Sequence, residues 1–174
     1  VLFCQDWGGL LGLRLVSAFP DTFAGVIAAN TFLPTGDVEP SDAFKKWRTF
    51  SQTVPVFPVG GIIRGATVKD FTQGVEAAYD APYPDESYKA GARIFPALVP
   101  TSSDMDGAAD NVEAWKILRK FEKPFLTSFS DQDPITRGGD KGFQKRVPGC
   151  KGQAHTIVEG GGHFLQEDVH AELS

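Results

Sequence analysis

An aspartate near the start of the sequence stands where a nucleophile could be placed. Asp6 is the central residue of Cys4-Gln5-Asp6-Trp7-Gly8, which has the form small–x–nucleophile–x–small of a sharp strand-to-helix turn. The turn would hold the Asp6 side chain above a sheet and at a helix N-terminus, where amides and the helix dipole favour an anion. A carboxylate there can attack an sp³ carbon that carries a leaving group and form an ester. The alternative interpretation is that Asp6 only caps the helix.

A histidine near the end of the sequence is the candidate base. His163 follows three glycines at residues 160–162, which come directly after a predicted strand. Glycines let the backbone bring a side chain close to a neighbouring loop. A lone histidine is more often structural than catalytic, but the position of His163 after the last strand, downstream of Asp6, favours the catalytic interpretation. His155 and His170 are interpreted as structural or surface residues.

Two aspartates compete for the acid that would orient this histidine. Ser130-Asp131-Gln132-Asp133-Pro134 follows a predicted strand, and ligand sites in open α/β sheets form at the carboxyl ends of strands. An acid here can reach a histidine on the next loop. The order nucleophile, acid, histidine is that of α/β-hydrolases, and both Asp131 and Asp133 fit it.

The elements that would position these residues alternate between short apolar runs and helices, the pattern of a parallel sheet built from βαβ units. Strands are predicted over residues 1–4, 24–29, 124–130 and 154–158. A first helix is predicted over residues 9–19. It is apolar on nearly every side, which predicts that it lies buried against the sheet.

The segment between the second and third strands has a different character. Prolines become frequent and aromatic residues are interleaved with short helical patterns, which predicts a helical cap rather than more sheet. Helices are predicted over residues 41–52, 69–78, 87–95 and 107–121. The predicted layout is an α/β core over residues 1–32, a cap over 33–106, and the rest of the core over 107–174.

Composition limits the classes of partner and compartment. The 174 residues carry 17 Lys and Arg against 22 Asp and Glu, a formal net charge of −5. The basic residues are scattered, which argues against a nucleic acid partner, and no apolar run approaches the ~18 residues that a bilayer-spanning helix needs. Two cysteines, Cys4 and Cys150, without metal-type spacing favour a reducing compartment, so a cytoplasmic location is expected.

Both ends of the chain are predicted to be truncations. Residues 1–4 begin inside a predicted buried strand without a methionine, and residues 171–174 stop at the apparent start of a helix. Earlier strands, an oxyanion-hole amide and any targeting sequence would then precede residue 1. The chain on its own is expected to fold poorly and to be inactive.

Three stretches of the sequence resemble haloalkane dehalogenases. They are Gln5-Asp6-Trp7-Gly8-Gly9-Leu10-Leu11-Gly12-Leu13, Ala81-Pro82-Tyr83-Pro84-Asp85-Glu86-Ser87-Tyr88-Lys89-Ala90-Gly91 and Gly162-His163-Phe164-Leu165-Gln166-Glu167. The resemblance runs over nearly the whole chain and is to the subgroup whose second halide ligand is a cap tryptophan. It implies an α/β-hydrolase fold with a helical cap, and hydrolysis of haloalkanes to alcohol and halide. The expected partners are a small halogenated hydrocarbon, water and product halide, with no metal or organic cofactor and a monomeric protein.

The resemblance also implies residue roles. Asp6 displaces the halide and becomes an alkyl ester, and His163 removes a proton from the water that hydrolyses this ester. The family places the acid a few residues beyond the strand end, which favours Asp133 over Asp131 as the group that orients His163.

Indole N–H groups would hold the leaving halide, because tryptophan is a donor only and its apolar ring excludes water. Trp7 is one expected donor and Trp47 is the best candidate for the second, with a core aromatic as the alternative role for Trp47. Trp115 is predicted to be a packing residue. Four cap aromatics are expected either to line the substrate pocket or to form the cap core: Phe32, Phe44, Phe50 and Phe57.

Other functions remain open. Epoxide hydrolases use the same Asp–His–Asp residues but need two cap tyrosines, for which the sequence offers Tyr79, Tyr83 and Tyr88. Fluoroacetate-type dehalogenases usually carry an arginine at the position of Trp7. A serine hydrolase is excluded because no serine occupies an elbow. A non-catalytic binding protein is the remaining alternative, although it would not need Asp6, Asp133 and His163 together.

Overall fold

Four short apolar runs pair into one parallel sheet, with the strand order β1-β2-β3-β4. The computed structural model describes residues 1–70 and 72–171. The strands are β1 (Leu2–Gln5), β2 (Val26–Ala29), β3 (Phe125–Ser130) and β4 (Thr156–Val158). The α/β fold class predicted from the alternating pattern is therefore confirmed.

The register of the sheet brings the strand ends to one edge. Gln5 is aligned with Ala29, and Ser130 is aligned with Val158. Because all strand pairs are parallel, the loops that follow the four strands leave the sheet on the same side. The segments that begin at Asp6, Asn30, Asp131 and Glu159 therefore lie close together.

Eight α-helices accompany the sheet within the described residues. They are α1 (Trp7–Ala18), α2 (Asp42–Thr53), α3 (Val59–Gly65), α4 (Gln73–Asp80), α5 (Ala90–Leu98), α6 (Ala108–Leu118), α7 (Asp140–Arg146) and α8 (Leu165–Asp168). Helices α2–α5 lie between β2 and β3 in the chain. The helix start predicted at residues 171–174 falls outside the described residues, except for Ala171.

The first helix lies against the sheet, as predicted, although some of its apolar side chains are exposed. In α1, Leu13 and Val16 are fully buried, but Leu11 and Leu15 are 53% and 51% exposed. Helix α1 packs on β1 and α6, and Leu11 and Leu15 lie on its exposed side.

The helix boundaries between β2 and β3 differ from the sequence prediction for local reasons. The helix predicted over residues 69–78 begins later, at Gln73, because the Thr72 side chain accepts a hydrogen bond from the backbone N–H of Val75 and caps it. Helix α3 was missed because its sequence VGGIIRG contains three glycines, which disfavour helix in isolation. Contacts with α4 support it, including an ion pair between Arg64 and Glu76.

The main core lies between the sheet and helices α1, α6 and α7. Its largest buried side chains include Phe125 and Phe143, whose rings stack at 5.5 Å between centroids. Full burial of one such side chain contributes about 1.5–3 kcal/mol of apolar transfer free energy. Trp115 is a packing residue as predicted, since it stacks on Phe143 and its indole N–H donates to the Leu33 carbonyl. Within residues 1–70 and 72–171, none of the helices has the length and apolar character needed to cross a bilayer.

Candidate active site

The turn between β1 and α1 holds Asp6 in an unusual backbone conformation. Asp6 has φ 51° and ψ −125°, one of two non-glycine residues with positive φ in the described chain. Such a conformation costs free energy and is typical of functional turns. Asp6 occupies the N-cap position of α1, but its side chain makes no capping hydrogen bond, so capping does not account for the placement of this side chain. Its side chain is 47% exposed and borders a cavity.

The close approach at this turn involves a glycine that the sequence analysis did not single out. A Cβ atom on Gly9 would lie 1.9 Å from Oγ1 of Thr31, whereas one on Gly8 would meet its nearest neighbour, the Cys4 Cβ, at 3.9 Å. The Thr31 hydroxyl also donates to the Asp6 carbonyl at 2.7 Å. Gly9 is thus the position that lets α1 pack against the end of β2.

His163 lies between two carboxylates. Its Nε2 atom is 3.3 Å from Oδ1 of Asp6, and its Nδ1 atom is 2.9 Å from Oδ2 of Asp133. Of the two competing acids, the structure places Asp133 beside the imidazole. Asp131 lies in a different environment, where its Oδ1 accepts a hydrogen bond from the backbone N–H of Gly160 at 2.9 Å.

Asp133 is fully buried and is held by further donors. The backbone N–H of Ile135 donates to its Oδ1 at 2.8 Å, and the hydroxyl of Thr136 donates to its Oδ2. Burial by itself raises the pKa of Asp133. The hydrogen bonds from His163, Thr136 and Ile135, with the charge of His163, outweigh burial and hold this pKa below its usual range. Asp133 is therefore a permanent carboxylate in the neutral pH range.

The environment of His163 favours its charged form. Burial by itself lowers the pKa of His163, but hydrogen bonds to Asp133 and Asp6 and the charges of both raise it to about 9. His163 is only 8% exposed and Asp133 is fully buried, so little solvent screens that pair, whereas the Asp6 side chain is 47% exposed. The pKa of His163 therefore depends on whether Asp6 carries a charge.

At each of the three positions before His163, the structure disfavours a residue larger than glycine for a different reason. Gly160 has φ 76°, a left-handed conformation that favours glycine. A Cβ on Gly161 would lie 3.0 Å from the Cβ of Ser130, and one on Gly162 would lie 2.6 Å from the carbonyl oxygen of Ala66. The histidine loop thus packs against both the end of β3 and the cap.

A buried asparagine joins the three loops. Asn30 is fully buried with φ 36°, and its backbone carbonyl accepts a hydrogen bond from the Asp6 N–H at 3.0 Å. Its Nδ2 atom lies within 3.0 Å of Ser130 Oγ and of the carbonyls of Gly162 and His163, and its Oδ1 accepts from the Ser130 N–H. Asn30 is not among the site residues predicted from the sequence. The available signal was a polar residue directly after the apolar run of β2.

A cavity of about 640 Å³ opens above Asp6 and His163. Its wall includes Trp7, which stacks on Phe95 at 4.9 Å between ring centroids. Trp47 also borders the cavity. The centroid of its ring lies 6.1 Å from the ring centroids of Phe50 and Phe57. Of the four cap aromatics considered, three line the cavity, namely Phe32, Phe44 and Phe50; Phe57 does not line it and is buried behind Trp47.

The other candidate groups lie away from this cavity. The three tyrosines, Tyr79, Tyr83 and Tyr88, all fall in the described part of the chain, and none of them lines the cavity. The hydroxyl of Tyr79 donates to Glu167 instead.

The other two histidines do not border the cavity. His155 has a structural contact, since its Nδ1 accepts from the backbone N–H of Thr127 at 3.1 Å. His170 lies in a turn beyond α8, which ends at Asp168. In residues 1–70 and 72–171, no cluster of three His, Cys, Asp or Glu side chains could hold a metal ion.

Comparisons with known proteins give close relatives, although no family model matches the chain. The chain is 59% identical over 167 residues to a haloalkane dehalogenase of Psychrobacter cryohalolentis, covering 96% of this chain and 55% of that protein. It is 44% identical over 173 residues to a haloalkane dehalogenase of Mycobacterium marinum, covering 99% of this chain and 58% of that protein.

Solved structures give the same answer for the fold. The tetrameric haloalkane dehalogenase of Paraglaciecola agarilytica NO2 superposes with a TM-score of 0.87 at 29% identity, covering 96% of this chain and 56% of that one. A haloalkane dehalogenase from Bradyrhizobium elkani USDA94 superposes with a TM-score of 0.78 at 21% identity, covering 95% and 61%. At that identity the second match shows the fold alone.

The parallel sheet, the strand-to-helix elbow and these structural neighbours define an α/β-hydrolase fold. More narrowly, the chain is a homologue of haloalkane dehalogenases along nearly its whole length, which confirms the resemblance to these enzymes at the level of the family. The chain spans 55% and 58% of the length of the two curated relatives named above.

Proposed function

We propose that the protein hydrolyses haloalkanes to an alcohol and a halide through a covalent ester on Asp6. The observation that carries this proposal is the position of one imidazole, with Nε2 of His163 3.3 Å from Asp6 and Nδ1 2.9 Å from Asp133. Relatives that are 44% and 59% identical are named haloalkane dehalogenases, which supports the same reaction here.

In the first step, a carboxylate oxygen of Asp6 attacks the carbon that bears the halogen. A carbon–oxygen bond forms as the carbon–halogen bond breaks, and the halide leaves with the bonding electron pair. The indole N–H groups of Trp7 and Trp47 are the proposed donors to the departing halide, since both rings border the cavity above Asp6. The apolar character of the remaining wall suits a small halogenated hydrocarbon.

In the second step, water hydrolyses the ester. Nε2 of His163 takes a proton from water, and the resulting hydroxide attacks the carbonyl carbon of the ester on Asp6. The tetrahedral intermediate collapses, and the departing alkoxide receives the proton from His163 to become the alcohol. The carboxyl group of Asp6 then loses the second proton of the water to solvent and is again a carboxylate. Asp133 holds Nδ1 of the imidazole and stabilises its charged form during this step.

The electrostatics of the site suit this order of events. Before reaction, Asp6 and Asp133 together raise the pKa of His163 to about 9, against the effect of burial. Ester formation removes the negative charge of Asp6, so the pKa of His163 is expected to fall when the imidazole has to act as a base. The ester hydrolysis step should therefore fade as the pH is lowered through this reduced pKa.

An epoxide hydrolase with the same machinery is less well supported. It would need tyrosine hydroxyls at the cavity to protonate the epoxide oxygen, and Tyr79, Tyr83 and Tyr88 do not line it. A protein that only binds a ligand would have no use for a buried carboxylate that orients His163 toward Asp6.

The test is halide release from 1,2-dibromoethane by the complete gene product, beside its Asp6→Ala variant and an epoxide of similar size. Halide should appear with the parent and be lost in the variant. Epoxide opening without halide release would move the assignment to an epoxide hydrolase. If the parent catalyses neither halide release nor epoxide opening, and Asp6→Ala binds ligand as the parent does, the protein is a binding protein.

A second variant tests the role of the base. His163→Gln should release one equivalent of halide and then stall, because the ester on Asp6 is not hydrolysed. The trapped alkyl group is detectable by mass spectrometry of the peptide that contains Asp6. Steady turnover by this variant would rule out the proposed role of His163.

The oligomeric state of the complete protein is a separate question. The resemblance to haloalkane dehalogenases implies a monomer, whereas the relative from Paraglaciecola agarilytica NO2 is tetrameric. Sedimentation of the complete gene product distinguishes the two states.

A further inference from the structure

The last residue of α8 is an aspartate with an unusual environment. Asp168 is fully buried, and a buried carboxylate is tolerated only where hydrogen-bond donors replace water. Oδ1 of Asp168 accepts from the backbone N–H groups of Val68 and Lys69, both at 2.8 Å. Oδ2 accepts from the backbone N–H of Gly162 at 2.7 Å. We call this set of hydrogen bonds the Asp168 latch.

The latch joins two segments that are far apart in the sequence. One is the cap segment, residues 66–69, which directly follows α3; the other is the histidine loop, residues 160–163. A direct backbone hydrogen bond also connects the two segments: the N–H of His163 donates to the carbonyl of Ala66 at 2.8 Å. The absence of a side chain on Gly162 allows this approach, since a Cβ there would lie 2.6 Å from the Ala66 oxygen.

Both segments border the cavity above Asp6. The cap segment contributes Ala66, Thr67 and Val68 to the cavity wall, and the histidine loop contributes Gly162 and His163. One carboxylate therefore holds part of the substrate wall and the backbone that carries the proposed base. Neither the substrate nor the imidazole needs to touch Asp168 for this arrangement to matter.

We propose that Asp168 is a positioning residue that couples the docking of the cap segment to the placement of His163 against Asp6. This inference rests on the proposed function, because it assigns a step of that reaction. Ester formation requires Asp6 and the halide donors, whereas ester hydrolysis also requires His163. Loss of the latch should consequently slow hydrolysis more than ester formation.

The variant Asp168→Asn tests this coupling. The amide keeps the size of the side chain but puts an NH₂ group against one set of backbone N–H donors, so at least one side of the latch is lost. The matched control is Asp80→Asn, because Oδ1 of Asp80 accepts from the backbone N–H of Gly60 at 2.9 Å entirely within the cap. The control changes an exposed carboxylate that accepts one backbone hydrogen bond, without touching the histidine loop.

The kinetic measurement is a rapid-quench time course with 1,2-dibromoethane, in which halide and alcohol are followed separately. In Asp168→Asn the rate constant for hydrolysis should fall roughly tenfold to a hundredfold relative to that for ester formation, because small misplacements of a base are costly. The alkyl ester should accumulate. The control should keep the parent ratio. An unchanged ratio in Asp168→Asn with a lowered melting temperature would reduce Asp168 to a structural residue and overturn the proposal.

Hydrogen–deuterium exchange gives a readout that is independent of activity. In the parent protein the amides of Val68 and Lys69 should be strongly protected, and in Asp168→Asn they should exchange at least about tenfold faster. Unprotected amides in the parent would overturn the latch even if the variant does not fold. If the parent releases no halide, the proposed function fails, and the exchange data still decide whether the latch exists.

Discussion

The Nδ1 atom of His163 lies 2.9 Å from Oδ2 of Asp133, a carboxylate that is fully buried. Asp131, two residues earlier on the same loop, instead accepts a backbone hydrogen bond from Gly160. The two aspartates are equivalent in residue type, but only one of them faces the imidazole.

This difference predicts opposite results for two matched variants. Asp133→Asn should reduce turnover by roughly 10³- to 10⁴-fold, because the imidazole loses the group that fixes its tautomer and stabilises its charge. Asp131→Asn should stay within a few-fold of the parent. Steady-state halide release measures both. Equal losses in the two variants would contradict the assignment of Asp133.

The contact between His163 and Asp6 predicts a shift that NMR can measure. In Asp6→Asn the side chain no longer carries the charge that helps to raise the pKa of His163 to about 9. Burial opposes the charged imidazole, so this pKa should be lower in the variant than in the parent. The imidazole would then become neutral at a lower pH. A titration of the His163 ring resonances is the measurement, and an unchanged pKa would show that Asp6 and His163 do not interact.

The elbow predicts a difference in stability between neighbouring glycines. Gly9→Ala places a methyl group where Thr31 Oγ1 would be 1.9 Å away, so overpacking should destabilise the protein by about 1–3 kcal/mol. Gly8→Ala has its nearest neighbour at 3.9 Å and should be near neutral. Denaturant unfolding of the complete gene product gives both free energies. Similar losses in the two variants would contradict the close approach of Gly9 and Thr31.

The two cavity tryptophans give a test of halide binding. Trp7→Phe and Trp47→Phe keep an aromatic wall but remove the indole N–H, so each should slow ester formation, by about 10²-fold for loss of one strong donor to a developing anion. Single-turnover halide release separates this step from hydrolysis. If Trp7→Phe is slow and Trp47→Phe is normal, Trp47 is a wall aromatic of the cap and the second donor lies elsewhere.

Much of the fold was predictable because it depends on local patterns. The apolar runs that became β1 to β4 are short and bounded by helical periodicity, and the glycines around Asp6 and before His163 mark tight turns. Helix α3, with three glycines, and the short helix α7 were missed, because their stability comes from neighbours rather than from intrinsic propensity.

The sequence by itself determined the residue types and their order: an aspartate at an elbow, acids after a later strand and a histidine after the last one. Only the tertiary structure decided which of them meet. The hydrogen bonds of Asn30 to His163 and of Val68 to Asp168 join residues 133 and 100 positions apart. Such contacts depend on how β2, the cap and the histidine loop pack in three dimensions, and no local periodicity encodes them. That is why Asn30 and Asp168 were distinguished from their neighbours by packing rather than by pattern, whereas the family resemblance had already favoured Asp133 over Asp131.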